Sequence, residues 1–339
     1  MNLRKMFLLS AITVSTLCLY GCGTQKADEV VVYTAVDEVF SEKIIHEFEA
    51  ETGIKVNVVY DTEANKTTGL VNRIIAEKEN PICDVFWNNE FIQTIELENQ
   101  GMLEAYDSPS AKDIPDYYKP GNSMWTAVGG RARVLLVNND LLEEDNFPTS
   151  VEDFVSGKYS GSQLAIAYPM FGTTKTMVAA LYAQWGEDKG RAYFEKMVSL
   201  GVNVVDGNSV TKDMAASGQV AIGFTDSDDA KEAIEDGANV TMIYPDQGDD
   251  EMGTLLTPST IALIKNAPNE ENAKIFIDFI LKESTERELV EDGFYDISIR
   301  DADKEDSIKG MTISLEKIYE YMDISAKDME ELFSAVNKR

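Results

Sequence analysis

The stretch WTAVGGRARVLLVNND, residues 125–140, decides how the chain is organised. It carries adjacent glycines, Gly129 and Gly130, then two arginines, Arg131 and Arg133, then an apolar β-rich run at 134–137. This change of character predicts a strand crossing from one folded unit to a second. Upstream, EVVVYTAVDEVFSEKIIHEFEAETGIKVNVVYD (29–61) reads as a strand, a helix with Phe40, Ile44, Ile45 and Phe48 at helical spacing, a stop at Gly53 and a strand at 55–60. A second cycle follows: a helix closed by Pro81, then the strand CDVFWNN (83–89). Downstream come the strand QLAIAYP, helices at 173–186 and 190–201, VNVVDGNS, the helix around KDMAASG, the strand VAIGFT and the helix DDAKEAIEDG. A strand near TMIYPD leads to GTLLTPSTIALIK (253–265), read as the return crossing. Alternating strands and helices predict α/β architecture with parallel sheet. Two crossings predict two lobes with a small-molecule cleft between them. The expected division is 29–130 with 253–285 as the first lobe and 131–252 as the second. C-terminal helices within 286–339 are expected to pack on the lobes, chiefly the second.

The chain opens MNLRKMFLLSAITVSTLCLYGCGTQ. Arg4 and Lys5 precede an apolar run from 6 to 19, too short to span a bilayer comfortably and laid out like a secretory signal. LYGC resembles a lipoprotein processing box, so 1–21 is expected to be removed, Cys22 lipidated, and 22–28 left as a tether. Some 315 residues then remain, enough for two domains. Losing Arg4 and Lys5 leaves 28 basic against 60 acidic side chains, a net −32. Such a body is repelled by nucleic acid and by anionic headgroups, so the membrane is expected to be met through the lipid alone. Cys18 would leave with the signal and Cys22 would carry lipid, so Cys83 is expected as a buried thiol with no disulfide. His46 is expected on a helix surface.

Together, VVYTA, FEAETGIKV, CDVFWNNE, GGRARVLLVNN, GTTKTMVAAL, GNS…AASGQVAIGFT and TPSTIALIKNAPN resemble the ferric-iron-type substrate-binding proteins of bacterial ABC importers. The resemblance covers nearly the whole chain after the leader. It implies a type II periplasmic-binding fold whose two lobes close on a ligand, with the closed form docking on a permease served by an ATPase subunit. A monomer on the outer face of the cytoplasmic membrane is the implied state. In ferric members an adjacent tyrosine pair follows the strand matching VAIGF, often with a His near the end of the first strand and an acidic residue after the second. Here the tyrosine positions hold Thr225 and Asp226, the His is absent from TAVDE, and the acidic position falls at Glu63. A ferric ligand would therefore lack its phenolate chemistry, with Glu63 and Asp226 as the metal ligands available.

GFTDSDDA (223–230) follows a strand at its carboxyl end, where open α/β sheets bind ligands. Asp228 and Asp229 are expected to cap the first turn of a helix, and Thr225 and Asp226 to face the cleft. A three-carboxylate metal cluster is the sharper alternative. Gly172, Thr173 and Thr174 open a helix and offer amides and hydroxyls to an anion, or plain capping. Asn208 is added in DGNS, where the family places an anion-contacting asparagine. Arg131 and Arg133 are expected on opposite strand faces, at most one reaching the cleft and the other paired to surface carboxylates. The first lobe contributes Thr34, Asp37, Glu63, Asn65, Asn88 and Glu90, while Trp87 reads equally as packing or as cover. This inventory suits iron(III) with an anion or a small phosphorylated or phosphonate solute. No cofactor is expected beyond such a metal. An extracellular sensor module shares the same residues. A hydrolytic enzyme is disfavoured: there is one His, no zinc motif and no nucleophile with a base at motif spacing.

Overall fold

The computed structural model describes residues 28–36, 38–60, 68–302, 304 and 307–333. The leader, Cys22, Asp37, Glu63 and Asn65 lie outside the described residues. Strand β1 (Glu29–Thr34) is followed by α1 (Glu38–Thr52), β2 (Lys55–Tyr60), α2 (Thr68–Ala76), β3 (Val85–Asn88), α3 (Ile92–Asn99) and β4 (Leu103–Glu104). The apolar spacing read in the sequence is the buried face of α1, where Ile44, Ile45 and Phe48 are enclosed. β1 pairs in parallel with β2 and with β3.

The crossing strand β5 runs Thr126–Asn138, and every residue in it is buried except the half-buried Arg131. Beyond it come α4 (Val151–Phe154), β6 (Leu164–Ala167), α5 (Gly172–Trp185), α6 (Glu187–Leu200), β7 (Asn203–Val205), α7 (Asn208–Ala216), β8 (Ile222–Asp226), α8 (Ser227–Glu235) and β9 (Val240–Ile243). The return strand β10 (Leu256–Ile264) precedes α9 (Glu270–Ile280), α10 (Glu283–Glu291), α11 (Leu315–Glu320) and α12 (Met322–Phe333). Strand order is β2-β1-β3-β10-β5-β8-β6-β7, with β4 added on β10 and β9 on β5. The first half of β5 pairs antiparallel with β10 as far as Ala132, and from Arg133 onward β5 pairs with β8. One continuous strand thus hands over from the first lobe's sheet to the second's. The fold is mixed α/β with two lobes, as the two crossings predict. The sheet is parallel within β2-β1-β3 and β8-β6-β7, as the strand–helix alternation predicts, but antiparallel where the crossing strands β5 and β10 pair. Helices α11 and α12 pack on α5, and α12 also on α6, where Tyr182 and Arg191 reach Asp328.

The handover is braced at Gly129, which has φ +47° beside a register shift opposite Pro258 and Ser259. A Cβ on Gly129 would stand 2.0 Å from the Tyr295 ring, so glycine is required both by conformation and by space. Its N–H donates to the fully buried Glu286 (2.9 Å), which also accepts from Ile299 N–H (2.9 Å) and pairs with Arg300 Nε at 2.7 Å. Cys83 is buried, and His46 stands exposed between Glu42 and Glu49. No helix of the described residues is long and apolar enough to cross a membrane.

Candidate ligand cleft

In the second lobe, the tip of β8 meets the first turns of α5, α7 and α8. Their unpaired amides and dipoles make this a place for negative charge. The structure fills it with the protein's own carboxylate, Asp226. Asp226 Oδ1 accepts from Arg133 Nη1 at 2.7 Å, while Oδ2 accepts from Thr173 Oγ1 at 2.6 Å and Asn208 Nδ2 at 2.8 Å. Arg133 also donates to Asn208 Oδ1 (3.0 Å) and lies 5.2 Å from the Phe224 ring centroid. Both charges are enclosed, with side-chain exposures of 1% for Arg133 and 7% for Asp226. A buried pair of this kind leans on further hydrogen bonds to its remaining donors and acceptors. Thr173 and Asn208 supply them to Asp226 and to Arg133 Nη1, while Arg133 Nε has no hydrogen-bond partner among the described residues.

The open part of the cleft is a cavity of about 180 Å³ at the handover. Phe40 and Asn89 bound it on the first-lobe side, Asp228 on the second, and Gly130, Arg131, Thr257 and Ser259 on the crossing strands. Gly293, Phe294 and Tyr295, from the segment after α10, close it. Arg131 Nη1 donates to Asp228 Oδ2 at 2.8 Å, so a guanidinium and a carboxylate face the cavity as a pair. Burial pushes the Tyr295 phenol well up, so it stays protonated where it borders the cavity.

Thr173, Thr174, Asn208, Thr225 and Asp226, drawn from three separate segments of sequence, converge in one network. Thr174 meets Asn208 Oδ1 at 3.4 Å, Gly172 opens α5 at φ +55°, and Thr225 donates its hydroxyl toward Asn208 O and Asp229 Oδ2, both at 3.1 Å. Asp228 and Asp229 occupy the first turn of α8, but their carboxylates engage Arg131 and Thr225 instead of capping amides. Only Arg131 of the two arginines lines the open cavity, in keeping with at most one reaching the cleft, but the expectation of opposite faces and a surface partner fails. Residues two apart on a strand share a face, and both side chains run to the same loop cluster, Arg133 reaching a buried carboxylate rather than a surface one. Thr34 is fully buried and its hydroxyl accepts from Val36 N–H at 3.0 Å, closing the β1 turn. Asn88 is likewise buried and spends its amide on Glu90 O at 2.7 Å. Trp87 is core, edge-on to Phe276.

Glu90 accepts from Ile92 and Gln93 N–H groups at 3.3 Å. Burial pushes its carboxyl up to about 7, against the opposing pull of those amides and of Arg131. Its folded value lies above the unfolded one, so the folded state holds the extra proton between pH 4.5 and 7, and stability falls as pH rises through that window. Glu90→Gln should abolish a decline of about 1–3 kcal/mol, read from urea unfolding at pH 5 and pH 8; an unchanged slope contradicts this assignment.

Phe40, read in the sequence only as part of the helical apolar repeat, is half-buried and faces the cavity. Phe294 and Tyr295 were missed; the signal was EDGFYDIS (291–298), a glycine followed by two aromatics and an aspartate in a region read only as helical. Asp226, Asp228 and Asp229 bring carboxylate oxygens within 4.8 Å of one another. Two of the three already hold guanidinium partners, and burial next to the other two pushes Asp229 up to about 6.

This hinged α/β pair with a polar cleft at the strand handover is the architecture of a solute-binding protein. The family profile described as bacterial extracellular solute-binding protein matches residues 43–311, and the chain belongs to that family. Iron uptake protein A1 of Synechocystis is 24% identical over 317 residues, 86% of this chain and 85% of that protein. A Salmonella typhimurium protein provisionally named as a 2-aminoethylphosphonate-binding periplasmic protein is 25% identical over 224 residues, 66% of this chain and 64% of that one. The open conformation of Mannheimia haemolytica ferric iron-binding protein A superposes with a TM-score of 0.78 at 22% identity, covering 90% of this chain and 98% of that one.

Proposed function

We propose that this protein is the solute-capturing subunit of an ABC importer that closes its lobes on a small phosphorylated or phosphonate solute and releases it unchanged to a permease. The observation that carries the choice of ligand is Arg133 inside the Asp226 site. Where ferric relatives are implied to hold metal, the chain supplies its own cation and its own anion, and each neutralises the other. Admitting a metal at Asp226 would expel Arg133 and strand a buried guanidinium, which costs several kcal/mol. What stays available is the Arg131–Asp228 pair. A ligand phosphonate or phosphate would take Arg131, and an ammonium or hydroxyl group would take Asp228, so no charge is left unpaired.

The relatives' ferric names and the grouping of Asp226, Asp228 and Asp229 favour iron as the second reading. It predicts a one-to-one ferric complex. The absence of a phenolate at Thr225 and Asp226, with the Tyr295 phenol held protonated, predicts that ferric citrate produces no visible charge-transfer band. A strong band on addition would contradict the organic-solute reading.

The signal-like opening and Cys22 support a lipid-anchored, extracellular protein. The change of pairing partner between Ala132 and Arg133 supports lobes of 29–130 with 253–285, and 131–252. A ligand at 100 times its Kd stabilises the closed form by about 2.7 kcal/mol. A thermal-shift screen of sugar phosphates, aminophosphonates and metals should therefore raise the melting temperature with a phospho- or phosphono-ligand, without turnover. Conversion of the ligand, or a shift with metals alone, would refute the proposal.

A further inference from the structure

We propose that Phe40 and Phe294 form a specificity wall selecting solutes that carry a carbon skeleton beside their anionic group; this rests on the organic-solute reading above. The two rings lie 5.1 Å apart at 41°, both half-buried, on the same cavity as the Arg131–Asp228 pair. One wall is therefore apolar and one is charged. A bare ion gains nothing from the rings, whereas each methylene buried against them is worth about fourfold in affinity.

Phe294 is held by its neighbours on both sides of the hinge. Asp292 pairs with Lys43 of α1 at 2.6 Å, on the first lobe. Asp296 pairs with Lys231 and accepts the Ser227 hydroxyl, both on α8 of the second lobe. Between them, Gly130 O accepts from Asp296 and Ile297 N–H groups at 3.0 and 3.2 Å, and Gly130 N–H donates to Ile297 O at 3.1 Å. The segment crosses the hinge and is stitched to the strand that carries Arg131. The ring of Phe294 is thereby positioned relative to the charged pair when the lobes adopt this arrangement.

The test is calorimetric titration of the purified protein with 2-aminoethylphosphonate, inorganic phosphate and ferric citrate. Wild type should prefer 2-aminoethylphosphonate to inorganic phosphate by about tenfold or more, from its two methylenes on the wall together with its ammonium group at Asp228. Phe294→Ala should lose about tenfold toward 2-aminoethylphosphonate and stay within about twofold toward phosphate. Phe294→Leu, which keeps apolar volume and guards against misfolding of the alanine variant, should retain most of the preference. Equal losses toward both probes, or equal wild-type affinity for both, would overturn the wall while leaving the organic-solute reading intact. Wild type that takes ferric citrate alone, or none of the three probes, counts against that reading and the wall together.

Discussion

Arg133→Met should destabilise the protein by about 3–5 kcal/mol, measured by urea unfolding. The substitution keeps apolar length but strips the cation from a carboxylate that is 5% exposed. Thr173 and Asn208 would still donate to Asp226, so its hydrogen bonds survive in part and only the charge is stranded. Asp226→Leu should be comparably harmful, since it leaves the guanidinium with Asn208 and the Phe224 carbonyl but no counter-charge. The combined Arg133→Met, Asp226→Leu variant should be closer to wild type than either single change. Groups acting as one buried pair are strongly non-additive, and an apolar replacement of the whole pair is often near neutral. Additive losses in the double variant would show that the two charges act independently.

Gly129→Ala should cost about 2–5 kcal/mol, the sum of a left-handed backbone on a side-chain-bearing residue and an overpacked contact. The backbone sits at φ +47°, and the new methyl would enter the Tyr295 ring at 2.0 Å. Gly53→Ala is the matched control: φ +73° with nothing within 4 Å of the added carbon, so only the conformational part of about 1–2 kcal/mol should appear. Adding Tyr295→Ala to Gly129→Ala should recover part of the loss, because the clash disappears with the ring. Equal effects of the two glycine substitutions would mean that the hinge bulge yields freely and that the C-terminal segment does not brace it.

The lobes and the crossings were legible because they rest on local pattern. Apolar runs bounded by glycine and proline mark β1 to β3, and the break at Gly129-Gly130 marks the handover. GFTDSDDA could be placed at a strand tip for the same reason. The pairing of Arg133 with Asp226 was not legible, since the partners lie 93 residues apart and only the β5–β8 register brings them opposite. Applying the two-residue strand period correctly would have put Arg131 and Arg133 on one face. It would also have raised the question of what two guanidiniums share there. Phe40 misled because a helical repeat does not reveal that its first apolar position overhangs a cleft. Phe294 and Tyr295 come from a connecting segment with no periodicity, and only the fold carries them back to the hinge. Thr173 and Asn208, read in the sequence as contacts for a ligand anion, do converge, but the anion they hold is the Asp226 carboxylate. That they would serve an internal carboxylate follows from packing alone.

Native mass spectrometry with elemental analysis, on protein isolated from cells with its resident solute retained, tests the central claim most directly. The account predicts one small phosphorus-containing organic molecule per chain and no stoichiometric iron. One iron per chain, with no organic phosphorus, would contradict it.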